Sequence, residues 1–271
     1  MNLTQYESTQ ISEIREWKSE EPSVVSESVG IILSPITWLI NTMIPEAAMC
    51  AALDLSSSAA EWLTDTTDIV RNAGVSSVEE LRHHDLEQSD GLANTVHNWA
   101  IGLAAGEGGT TGVVGLPGLA ADVTVLIVMA IRTIHKIGVC YGYETTTQCE
   151  KDFVLAILAV TVANDGEEKI AALNSLRSVS LAVTQQAGNQ STDESDAPSR
   201  MNKEAGIISS KNLAKKLGVN LTKRKALQSI PAVGALVGAS VNGWYIKEVG
   251  WVARRAFQER WLIENHKVVE I

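Results

Sequence analysis

Residues 102–143 read GLAAGEGGTTGVVGLPGLAADVTVLIVMAIRTIHKIGVCYGY. The stretch opens on glycines at 102, 106, 108, 109, 112, 115 and 118, and then turns strongly aliphatic. Pro117 suits the first turn of a helix, where its missing N–H costs nothing. From there to Cys140 the apolar residues occupy nearly the whole helical circumference, which predicts a helix buried on most sides. At about 100° per residue, Asp122, Leu126, Met129, Thr133, Lys136 and Cys140 fall along one stripe. A buried carboxylate needs a partner. Asp122 therefore calls for the basic C-terminal segment or an amide such as Asn242. Arg132, His135 and Lys136 form a basic group near the helix end, and Tyr141 follows it.

Working outward, the rest of the chain is also helical in pattern. Residues 4–20 form an amphipathic helix with Thr4 and Glu7 at capping-box spacing. Residues 46–72 carry an alanine-rich face opposite an acidic one. Residues 76–90 read as a short helix ending near Gly91, and 91–105 as a further helical run. Residues 150–183 are helical with a break at Asn164–Gly166. Residues 184–205 are polar and aperiodic, so they read as a mobile loop within one domain of residues 1–271. Pro231 begins a last apolar helix whose Gly234 and Gly238 invite close approach, with the central helix as the expected partner. Gly102/Gly106 and Gly108/Gly112 read as close helix packing or as membrane-type contact. No alternating run supports a strand. The fold class is all-α, a single multi-helix domain around the central apolar helix.

With 271 residues, a sizeable core can form. The net charge of −10 argues against nucleic acid as a partner. Residues 1–110 are strongly acidic and residues 201–271 strongly basic, so the ends either pack together or the basic end meets anionic lipid. Lys216, Lys223, Arg224 and Lys225 are the candidate contacts with such a surface, each worth about 1 kcal/mol there. Aromatic residues are few, and seven of them are Trp. Trp38, set in ITWLINTMIP, reads either as core or as an interfacial anchor. The three cysteines have no metal-site or disulfide spacing, which fits a reducing cytosol. The polar, acidic N-terminus is unlike a signal peptide. No apolar run reaches the roughly 18–20 residues that span a bilayer.

Catalytic signatures are missing. His83, His84, Asp85 and His97 suggest a metal, but adjacent histidines point to different helix faces and no HExxH is present. The glycine cluster matches neither phosphate-loop pattern. Asp122 and His135 lie about 220° apart on an ideal helix and cannot act together on one face. No cofactor is implied.

Several of these stretches together resemble the EcsC family of bacterial proteins. The opening residues Tyr6, Glu7, Ile14, Trp17 and Lys18 are similar to the family's start, as are Pro35 and the Ile44–Pro45 pair. Leu116, Pro117, Asp122, Arg132, Tyr141 and Gly142 follow the family's pattern. So do Pro231, Gly234, Ala235, Gly238 and Asn242. The family takes its name from an operon that also encodes an ABC transporter, so the resemblance implies a link to transport or secretion. It brings no catalytic residue.

The expectation is a non-catalytic, membrane-associated accessory protein that binds a lipid-like apolar ligand or docks on a membrane protein. It would sit in the cytoplasm against the inner face of the membrane. Asp122, Arg132, His135, Tyr141, Lys225 and Asn242 are its candidate polar positions. The competing readings are a hydrolase-like enzyme using Asp122 and a helical scaffold for a protein partner.

Overall fold

The computed structural model describes residues 3–20, 66–111, 116–163, 165–188 and 240–271, with backbone alone at 107–111, 116–124, 185–188, 240 and 241. All regular structure among these residues is helical. The helices are α1 (Gln5–Ser19), α2 (Thr67–Ala73), α3 (Leu86–Thr111), α4 (Leu116–Cys140), α5 (Gln148–Thr161), α6 (Gly166–Gly188) and α7 (Ser240–Glu264), with a 3-10 turn at Glu79–His83. The predicted elements at 46–65, Trp38 and the Gly234–Gly238 motif lie outside the described residues.

α1 begins as its sequence predicts. Thr4 Oγ1 accepts from the Glu7 amide at 3.1 Å, and Glu7 Oε2 accepts from the Thr4 amide at 2.7 Å. Both orphan donors of the first turn are thereby satisfied. Its other end is capped from outside: the buried Lys169 ammonium donates to the carbonyls of Trp17 and Glu20. A cation at a helix C-terminus also meets the negative end of the dipole.

α3 departs from expectation. Ser89-Asp90-Gly91 reads as a stop, yet the helix runs through it and on through Gly102 and Gly106. Nothing among the described residues lies within 4 Å of a Cβ built at Gly91, Gly102 or Gly106, so no described helix makes the close approach expected at Gly102/Gly106. It occurs elsewhere. A Cβ at Gly138 on α4 would come within 2.6 Å of the Phe257 ring on α7. One at Gly250 on α7 would come within 2.2 Å of the His97 ring on α3, and Gly243 sits against Ala105. These bare positions let α7 lie tightly in the trough between α3 and α4, its most extensive partners.

The central helix α4 is as predicted, from Leu116 to Cys140. Leu126, Ile127, Ala130, Ile131, Ile134 and Ile137 are buried against its neighbours. It ends in a turn in which the Tyr143 amide returns to the Gly138 carbonyl at 3.0 Å. Gly142 takes φ +86° there, and Arg82 crosses directly behind it. The turn stacks Tyr141 and Tyr143 against Phe257, with ring centroids 6.1 and 5.8 Å away. Phe153 of α5 meets the same ring edge-on at 5.3 Å. α5 and α6 form a hairpin broken near 162–165, and α6 continues through Gly188, past the start of the stretch read as a loop.

One buried ion pair closes this aromatic layer. Arg260 of α7 donates Nη1 and Nη2 to Glu150 of α5 at 2.8 and 2.7 Å, and Nε to Glu264 at 2.8 Å. Its guanidinium lies 3.8 Å from the Tyr143 ring centroid. Two histidines are buried as neutral rings. Burial lowers the His135 pKa to about 4, helped by the charge of Lys136. Burial likewise brings His97 to about 4, against the opposing effect of its hydrogen bond to the Lys247 carbonyl, with Arg254 adding to the drop.

Three outcomes test this packing. Gly142→Ala should lose at least about 2 kcal/mol, because the added Cβ strains the left-handed backbone and meets the Arg82 chain. Gly91→Ala, on an open helix face, should instead gain about 0.5–1 kcal/mol. Paired urea melts that move both variants alike would contradict the packing described. Arg260→Met should cost about 3–5 kcal/mol by leaving Glu150 buried and unpaired, and adding Glu150→Gln should restore part of it. A double variant less stable than the single would refute that account. Finally, the unfolded chain takes up imidazole protons near the ordinary value of 6.5, and the folded chain only near 4. Stability from these rings is therefore complete above 6.5 and declines as pH falls toward 4, on the order of 3 kcal/mol for each ring. Urea midpoints across that window, with His135→Gln as the variant that flattens the slope, read the effect.

Candidate functional site

The described members of the candidate polar set take different positions. On α4, Arg132 points to solvent, Thr133 and His135 are buried, and Lys136 is half-buried. His135 Nδ1 lies 2.6 Å from Thr145 Oγ1, in a setting that keeps the ring neutral at pH 7. Asn242 is buried and engaged in polar contacts. The Asp122 side chain lies outside the described residues, as do Lys216, Lys223, Arg224, Lys225 and Trp38. His83 and His84 lie at the end of the 3-10 turn, remote in role from His97, which bonds the Lys247 carbonyl at 2.9 Å. Among the described residues no group of three His, Cys, Asp or Glu side chains is placed to hold a metal ion.

Tyr141 has a different partner from any the sequence suggested. Its hydroxyl donates to Asp90, a buried carboxylate on α3. Tyr6 donates to the other oxygen of Asp90 at 2.6 Å, and Gln258 Nε2 lies 2.9 and 2.8 Å from the two oxygens. Burial raises both phenol pKa values, and the Asp90 hydrogen bonds and charge raise them further. Each tyrosine therefore stays protonated and serves as a donor. The carboxylate is saturated and sealed, with no open position for a substrate. This node fixes α1, α3, the α4 turn and α7 to one another. In sequence Asp90 reads as an ordinary turn acid before a glycine, so nothing marked it.

The exposed side of the same helix α3 is chemically unusual. From Gly91 to Gly106 it contains no Asp, Glu, Lys or Arg. Trp99 is 65% exposed, and Leu103, one turn on, is 42% exposed. Thr95, Asn98, Gly102 and Gly106 complete this outward face. On the adjoining α4, Val125 is 46% exposed. Large apolar side chains on a bare, charge-free helix face mark a surface for apolar contact. No helix among the described residues is long and apolar enough to cross a membrane.

A second surface lies along α7, where Lys247, Trp251 and Arg254 share one side at spacings of four and three residues. Arg254 lies 4.6 Å and Arg255 5.5 Å from the Trp251 ring centroid. Arg255 is neutralised by Glu13 of α1 at 2.7 Å.

Comparison with known proteins adds family membership. The model of the EcsC protein family matches residues 8–262. A relative from Bacillus subtilis (strain 168), Uncharacterized protein YdbA, is 24% identical over 196 residues, which is 72% of this chain and 65% of that protein. The chain thus matches less than two thirds of that relative's length. No solved structure matches at a significant level. The family model spans nearly the whole chain, from α1 through α7, and the chain belongs to the EcsC protein family.

Proposed function

We propose that this protein is a non-catalytic accessory protein that meets a membrane surface, or a lipid-like apolar molecule, through the outward face of α3. The observation that carries the reading is Trp99, 65% exposed on a helix face free of charge. Trp favours the headgroup level of a bilayer, where its apolar body is buried and its N–H stays wet. Leu103 and Val125 extend the apolar area, and Arg132 is exposed on the neighbouring helix. The basic composition of residues 201–271 adds attraction to anionic lipid. Such a protein lies on the membrane without crossing it. A place beside a transport or secretion system accords with what the family resemblance implies.

The polar interior speaks against chemistry in the described residues. The Asp90 and Arg260 nodes are buried and hydrogen-bonded throughout, and the buried Cys140 thiol is pushed up by desolvation. A thiol in that state is a poor nucleophile.

The test is co-sedimentation with vesicles of phosphatidylglycerol and phosphatidylcholine. The double variant Trp99→Ser, Leu103→Ser should partition at least about tenfold less, since each side chain contributes about 1.5–3 kcal/mol on burial. Wild-type partitioning by a folded double variant would sink the proposal. Wild-type protein that ignores vesicles but forms a stoichiometric protein complex through Trp99 would establish the scaffold reading instead.

A further inference from the structure

Arg254 lacks what the other buried guanidiniums of α7 have. Arg260 has two carboxylates and Arg255 has Glu13. Arg254 is 8% exposed, yet no carboxylate among the described residues lies within ion-pair distance of it. Among the described residues its Nη1 donates to the neutral Asn94 Oδ1, long at 3.2 Å. Its Nε is buried with no acceptor. Asp90 lies one helical turn before Asn94, but Tyr6, Tyr141 and Gln258 occupy both its oxygens. A buried guanidinium is costly without an anionic partner, and among the described residues Arg254 has none, which makes it a candidate anion ligand.

The surroundings fit one. Lys247 and Trp251 continue the Arg254 stripe along α7, and Lys247 is exposed with no acid paired to it among the described residues. Trp251 is 38% exposed, braced edge-on by His97 at 5.9 Å. Across the groove, α3 offers the exposed amides of Asn94 and Asn98, four residues apart on one face. The charges of Arg254 and Lys247 both reach His97, so the positive potential of the pair converges on this groove. α1 covers only the Arg255–Gln258 end, through Gln10 and Glu13. Glu87 is exposed on α3, two turns before Asn94 and toward the Tyr6 end.

We infer that the groove between α3 and α7, lined by Asn94, Asn98, Lys247, Trp251 and Arg254, binds a phosphate-type anion. The guanidinium supplies a planar fork and the ammonium a mobile point charge, while the amides reach the remaining oxygens. Two cations on different side chains with two amides suit the several oxygens of a phosphate better than the two of a carboxylate. The phosphate belongs either to a lipid headgroup or to a soluble molecule. The site stands on the Arg254 geometry and does not require the apolar face at Trp99 to be correct.

The experiment titrates the full-length protein with inorganic phosphate, read by calorimetry and by the NMR signals of the His97 ring. Saturable binding that moves those signals is expected. Lys247→Ala, at an exposed position with no fold role, should weaken it about tenfold or more, the worth of a charge-assisted hydrogen bond. Arg254→Gln should abolish it. Should that variant fail to fold, Lys247→Ala and Trp251→Leu decide the matter. Absence of saturable binding, or equal binding by wild type and Lys247→Ala, overturns the inference. Competition of phosphate by phosphatidylglycerol vesicles assigns the site to a headgroup, and phosphate binding without competition assigns it to a soluble phosphate. Trp99→Ser, Leu103→Ser should leave phosphate binding intact, so this site and the apolar face fail or stand separately.

Discussion

Asp90 is the constraint on which the described fold turns. A carboxylate removed from water is unfavourable unless its lone pairs are filled. Here they are filled by donors from three other elements: Tyr6 of α1, Tyr141 beyond α4 and Gln258 of α7. Hydrophobic burial is tolerant of sliding, and four apolar helix faces would admit several registers. A single saturated acid admits few. Gln258 also bonds Gln10, and Gln10 accepts from Arg255, so the order imposed at Asp90 extends along α1. α1 has only Ile11 and Ile14 among its buried aliphatics. Polar bonds and the Lys169 cap at its far end therefore hold much of its position.

The apolar interior is arranged to let that constraint be met. Phe257 is central, faced by Tyr141 and Tyr143 and touched edge-on by Phe153. Room for it exists because position 138 has no side chain. The same device at Gly250 admits His97, whose ring then ties α3 to the Lys247 carbonyl. Glycine weakens a helix by about 0.5–1 kcal/mol at an interior position. α7 and α4 accept that loss where an aromatic ring takes the vacated space, and the layer is closed by the Arg260–Glu150 pair.

Much of this was readable from residues. The α1 capping box, the span of α4 from its proline to Cys140 and the break before α6 follow from local chemistry, and the all-helical class follows from periodicity. What was not readable depended on partners distant in sequence. Ser89-Asp90-Gly91 has the local chemistry of a turn, and only the tertiary donors to Asp90 keep it helical. Gly102 and Gly106 have motif spacing but face outward, whereas Gly138 and Gly250 belong to no motif and make the contacts. Arg132, His135 and Lys136 looked like one basic group. Successive 100° steps divide them between solvent, core and boundary. In sequence Arg254 is one of several late arginines, and only its tertiary neighbours set it apart.

α3 joins these observations. One side of it carries Asp90, Asn94 and His97 toward α7, and the opposite side carries Trp99 and Leu103 to solvent. A helix has to be fixed in rotation for both sides to keep their roles, because a half-turn of about 180° exchanges them and a smaller one displaces both. The Asp90 node and the His97–Gly250 contact fix it at two points, two turns apart. Selection for solubility alone disfavours an exposed Trp beside an exposed Leu on such a rigid support. A fixed rotation also sets the α7 groove at a constant angle to the apolar face. A membrane surface that meets Trp99 thus meets Asn98, one residue earlier and a step of about 100° toward Arg254, in a single defined orientation.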